Sequence, residues 1–116
     1  MRARKLKIMS TATRRNFEQR KIDKKILKEL YLVYNPIENV DRFIERAETL
    51  FPKLNCGLAS VYLKNVLGFG DVVNGSYENQ KHTFLLADKK IVVDITSDQF
   101  GGPKVYVGPL KEPWSL

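Results

Sequence analysis

Asn55-Cys56-Gly57-Leu58-Ala59-Ser60 carries the only cysteine of the chain and follows directly on Pro52-Lys53-Leu54. Leu58, Val61, Tyr62 and Val66 recur at helical spacing until Gly68-Phe69-Gly70 breaks the pattern, and Asn55 is a good N-cap. The reading is a helix that begins at Cys56. A thiol in the first turn of a helix sits among unpaired N–H groups and at the positive end of the helix dipole, which favours a thiolate. The same donors can hold an oxyanion. Gly57 beside the thiol leaves room for a substrate.

Downstream lie two apolar, β-rich runs, His82-Thr83-Phe84-Leu85-Leu86 and Ile91-Val92-Val93-Asp94-Ile95, joined by Ala87-Asp88-Lys89-Lys90. They read as a hairpin. With the turn centred on Asp88, His82 and Asp94 lie directly opposite and share a face, with Cβ atoms about 4.5–5.5 Å apart. A one-residue slip would send them to opposite faces. A carboxylate inside so apolar a strand needs a partner, and His82, the only histidine, is the one at hand. Cys56, His82 and Asp94 are therefore the candidate nucleophile, base and orienting carboxylate of an acyl-transfer site. The Cys56 N–H and Asn55 are candidate oxyanion donors. Gln99 is a third, or else caps its own loop.

Outward from this region, Val40, Phe43, Ile44, Ala47 and Leu50 mark a helix from about Val40 to Phe51, closed by Pro52. A basic amphipathic helix is expected from about Arg14 to Tyr34, ended by Asn35-Pro36. Residues 1–13 read as a basic disordered arm, within which Met9 is an alternative start, and residues 14–116 as a single domain. A short strand is expected over about Asp71–Val73, with extension toward Tyr77 as an alternative, and the polar stretch 74–81 reads as a loop leading to His82. Lys104–Val107 reads as a further strand, and Trp114 as an anchor for the tail. The expected fold class is α+β: N-terminal helices and a central Cys-bearing helix packed on a small antiparallel sheet.

The order of cysteine at a helix start, histidine on a strand and aspartate on the next strand resembles the papain-like and transglutaminase-like cysteine peptidase superfamily over residues 53–107. The chain is most similar to small bacterial or phage members and to papain-fold toxin domains, in which the carboxylate opens a D-x-T element, here Asp94-Ile95-Thr96. Phe84 fills the aromatic position two residues after the histidine. No glutamine precedes Cys56 at the short distance papain uses for its oxyanion hole. The resemblance implies a papain-like or transglutaminase-like core and a peptidase, deamidase or transglutaminase activity on a peptide or protein substrate, without a cofactor.

Bulk properties agree with an ordinary globule: 116 residues, 43% hydrophobic and 28% charged. No run approaches the roughly 18 apolar residues of a membrane helix, and no apolar stretch of signal-peptide type follows the basic N-terminus. A lone cysteine fits a reducing compartment, so a cytoplasmic location is expected, with delivery by a dedicated secretion machine also compatible. One His and one Cys do not make a zinc site. The net charge of +7 comes entirely from residues 1–28, where eleven basic residues face two acidic ones. That segment motivates the alternative reading, a non-catalytic basic module contacting nucleic acid or an acidic protein partner through Arg2, Arg4, Lys5, Lys7, Arg14 and Arg15. A scaffold of the same fold that has lost catalysis is a third possibility.

Overall fold

A computed structural model describes residues 1–116. Four helices precede a curled five-stranded antiparallel sheet, an α+β arrangement. The helices are α1 (Ala3–Glu18), α2 (Lys24–Tyr34), α3 (Val40–Leu50) and α4 (Cys56–Leu67). The strands are β1 (Asp71–Tyr77), β2 (Gln80–Ala87), β3 (Ile91–Asp94), β4 (Tyr106–Pro109) and β5 (Trp114–Ser115), arranged β4-β3-β2-β1-β5. A 3₁₀ turn at Ser97–Phe100 links β3 to β4.

The sheet has a core on each face because the side chains of β2 alternate. Leu85 and Ala87 join Leu58, Leu63, Ile44 and Val93 beneath the helices. Phe84 and Leu86 point the other way and pack with Tyr77, Val92 and Trp114 inside the curl. α4 is buried along most of its length and lies between α1, α2 and the sheet. Gly68, at φ 82°, ends it in the left-handed conformation that glycine takes without strain.

The N-terminal segment differs from the expected disordered arm and single long helix. Residues 3–18 form α1, which buries Leu6, Ser10, Thr13, Arg14 and Phe17 along one stripe. Small Ser10 and Thr13 keep the stripe narrow, so it carries little hydrophobic signal in the sequence. The chain turns at Arg20, which has φ 56°, and restarts at Asp23, whose carboxylate accepts from the N–H groups of Lys25 and Ile26. Arg14, expected among the nucleic-acid contacts, is instead buried. It forms a two-pronged bridge to Asp98, donates to the Ile95 carbonyl and lies over the Phe51 ring. Lys7 donates to the Val105 carbonyl. Both tie α1 to the segment that follows β3.

Two further expectations change. The stretch 74–81 is no loop: β1 and β2 form a hairpin closed by Glu78 and Asn79, at φ 49° and 65°. Two consecutive positive φ values give the turn that matches strand twist, and Asn accepts that conformation readily. In the β2–β3 hairpin, Leu85 faces Val93 and Ala87 faces Ile91, so the turn centres on Lys89, not on Asp88. The ladder is thus two residues away from the expected register. An even shift preserves the faces, and His82 and Asp94 become diagonal neighbours on one side. The fourth strand also starts later than expected, with Tyr106 opposite Asp94.

Urea unfolding tests the placement of α1. Leu6→Ala is expected to lower stability by about 2–5 kcal/mol, and Arg14→Ala by about 1.5–3 kcal/mol through the charge-assisted hydrogen bonds it removes from part-buried Asp98. Exposed Arg15→Ala is expected to stay within about 0.5 kcal/mol of wild type. A disordered arm predicts no loss at Leu6.

Candidate active site

Asp94 ends β3 with its side chain almost fully enclosed. Its Oδ2 accepts from His82 Nε2 at 2.6 Å and from Trp114 Nε1 at 2.8 Å, and its Oδ1 accepts from the Thr96 N–H at 2.9 Å. These donors meet the requirement that a carboxylate removed from water be paired and hydrogen-bonded. Trp114 reaches this position because β5 pairs with the end of β1, and its ring stacks on Tyr106 at 3.9 Å.

The His82 ring is sealed by aromatics. Phe100 meets it edge-on at 5.1 Å, and Phe84 and Tyr77 lie at 6.0 and 6.3 Å. With Nε2 committed to Asp94, Nδ1 is left buried and without a formed hydrogen bond. The neutral ring therefore carries its proton on Nε2 and offers a bare acceptor at Nδ1. Cys56, the first residue of α4 and the only thiol of the chain, lines the same cleft as His82. Burial by itself pushes the Cys56 thiol up, but His82 and the Thr83 main chain outweigh it and hold the thiol below its ordinary value. Burial likewise pulls His82 down, while the hydrogen bond to Asp94, the Cys56 sulfur and the charges on both raise it to about 9. The two shifts favour a thiolate–imidazolium pair.

Cys56 borders a cleft of about 590 Å³ that His82, Asn74, Lys81, Thr83 and the terminal residue Leu116 also line. No Asp or Glu side chain lines it, and exposed Lys81 makes no ion pair there. A larger groove of about 890 Å³ runs between α2, α4 and β1, but neither the cysteine nor the histidine faces it. No group of three or more His, Cys, Asp or Glu side chains is arranged to hold a metal ion.

The structure thus gathers Cys56, His82 and Asp94, and it places the remaining candidates elsewhere. Asn55 does not cap α4. Its amide turns back and donates to the carbonyls of Ala47 and Lys53, at 2.8 and 2.7 Å, which uses both N–H groups and excludes it as an oxyanion donor. Gly57 does not border the cleft: a Cβ there would lie 3.3 Å from the Tyr31 ring and 3.5 Å from that of Tyr34, so its smallness serves the packing of α4 on α2. Gln99 donates to the Thr96 carbonyl and caps the turn after β3. Arg2, Arg4, Lys5 and Arg15 are exposed on α1, whereas Lys7 and Arg14 are engaged within the chain. Reasoning from sequence missed the roles of Trp114, Phe100 and Thr83. Of these only Trp114 carried a signal, as the lone tryptophan of the chain and the expected anchor of its tail.

Compared with family models, curated proteins and solved structures, the chain matches none.

The single imidazole makes the pair easy to follow by NMR. Its titration midpoint is expected near 9, and in Asp94→Asn it should fall sharply, because burial remains while the raising partner is weakened. The sign for stability follows from the same shift. The charged ring contributes fully below its unfolded value of about 6.5, and that contribution disappears as pH rises through about 9. A wild-type midpoint at or below the unfolded value overturns the pairing. Trp114→Phe, which keeps the ring but removes its N–H, is expected to cost about 1.5–3 kcal/mol in urea unfolding.

Proposed function

We propose that this chain is a cysteine-dependent hydrolase or acyl transferase acting on peptide or side-chain amides, with a papain-like or transglutaminase-like core. The observation that carries the reading is the sealed His82–Asp94 pair, whose remaining ring nitrogen is left for the one cysteine of the chain at a helix start. A buried pair on its own is compatible with a purely structural role. The Cys56 thiol at the edge of an open cleft, held below its ordinary pKa, is what favours chemistry.

In the proposed mechanism His82 holds the Cys56 proton and Asp94 stabilises the resulting imidazolium. The thiolate sulfur bonds to the amide carbonyl carbon, and the C=O π pair moves onto oxygen. The Cys56 N–H is free to receive that charge, because the hydrogen bonds of α4 begin with the Ala59 N–H donating to Asn55. Collapse restores the carbonyl and breaks the C–N bond. The amine leaves with the proton from His82, and a thioester remains on Cys56. Water or a second amine then gives up a proton to His82, attacks the thioester, and releases acid or new amide with the thiolate restored. Peptidase, deamidase and transglutaminase reactions share every step up to the choice of amide and acceptor.

Alkylation by iodoacetamide across pH 4–10 tests the activation of the thiol. An unperturbed cysteine reacts with a midpoint of about 8.5. Cys56 should react well below that pH, because its thiolate is favoured over its thiol in the folded chain. His82→Ala should move the limb upward, and Asp94→Asn should move it in the same direction by less. A wild-type limb at or above the unperturbed value and unmoved by His82→Ala would make Cys56 a structural thiol.

A further inference from the structure

Of the side chains expected to donate to the oxyanion, Asn55 and Gln99 are both engaged elsewhere. Asn74 lies on β1 directly opposite Thr83 and lines the same cleft as Cys56 and His82. Its Oδ1 accepts from Tyr34 Oη at 2.6 Å and from Thr83 Oγ1 at 2.9 Å. Both lone pairs of that oxygen are therefore occupied in this orientation of the carboxamide. Its Nδ2 makes no hydrogen bond within the protein, although the residue is exposed at the cleft.

The two residues that clamp Asn74 also border the start of α4. Thr83 lines the same cleft as Cys56, and the Tyr34 ring lies 3.5 Å from where a Cβ on Gly57 would stand. An amide donor without a partner in the protein thus lies in the cleft that Cys56 borders, oriented by contacts that do not involve a substrate. We infer that Asn74 Nδ2, together with the Cys56 N–H, forms the oxyanion hole, with Tyr34 and Thr83 as positioning residues. The role fits electrostatic preorganisation, in which donors are oriented before charge develops. It rests on the acyl-transfer reading above.

The test compares two reactions of the same thiol in the full chain. With p-nitrophenyl acetate, the Cys56 sulfur adds to the carbonyl carbon and the oxygen takes the π electron pair. Collapse then breaks the bond to the aryl oxygen, releasing p-nitrophenolate and leaving acetyl-Cys56. Iodoacetamide alkylates the sulfur by displacing iodide from a saturated carbon, and no oxyanion forms. Asn74→Ala is expected to slow the Cys56-dependent nitrophenolate burst by about 10²-fold or more, with the pH profile of alkylation unchanged. Asn74→Asp keeps the acceptor for both hydroxyls but has no N–H, so it should lose the burst as Asn74→Ala does. Tyr34→Phe should slow the burst by a smaller factor and leave alkylation alone. A burst that survives in Asn74→Asp, or in Asn74→Ala, overturns the role of Asn74 while leaving acyl transfer standing. A wild-type chain that acylates no faster than Cys56→Ala overturns both.

Discussion

A carboxylate enclosed between a sheet and its own following turn is the constraint on which this structure depends. Asp94 leaves water only because three separate elements aim donors at it: His82 from β2, Trp114 from β5 and the Thr96 N–H from the chain just beyond β3. Removing one donor leaves charge unmet in an interior where such deficits are large. The short β5, with two residues, is thereby held by more than its ladder to β1. The curl of the sheet closes around this group, and the second core of Tyr77, Phe84, Val92 and Trp114 packs beside it.

The helical layer meets that arrangement through α1 and α4. Arg14 from α1 bridges Asp98 and the Ile95 carbonyl, both within four residues of Asp94. The turn that supplies Thr96 to the carboxylate is consequently fixed from the outside as well. α4 is anchored at its start by Asn55, whose amide holds the carbonyls of Ala47 and Lys53, and the cysteine follows at once. Residues that looked like binding or catalytic groups in isolation, Arg14 and Asn55, thus act at one remove by holding the segments that carry Asp94 and Cys56.

The electrostatics of the cleft follow from the same geometry. Against the burial of both groups, the bond to Asp94 raises His82 to about 9, and the imidazole in turn holds the Cys56 thiol at the start of α4 below its ordinary value. The aromatic wall of Phe84 and Phe100 keeps water from the imidazole and strengthens its interaction with Asp94.

Local signals in the sequence determined the α+β class, the helix from Cys56 to Gly68, the helix over 40–50 and the hairpin containing His82 and Asp94. These depend on periodicity and capping, which neighbouring residues carry by themselves. Face parity belonged to this legible part: a period of two kept His82 and Asp94 on one side although the register was two residues off. Tertiary structure decided the rest, because long-range partners leave no local mark. Ser10 and Thr13 look like residues of a polar arm until α1 docks; Arg14 looks like a surface cation until Asp98 stands opposite. Asn55 suits a cap, yet two carbonyls outside α4 compete for its amide and hold it. Asn74 reads as loop until Thr83 pairs with it and Tyr34, 40 residues earlier, donates to its oxygen. A hydrogen-bonding side chain has several acceptable partners in any sequence, and only the packed chain selects which of them is near.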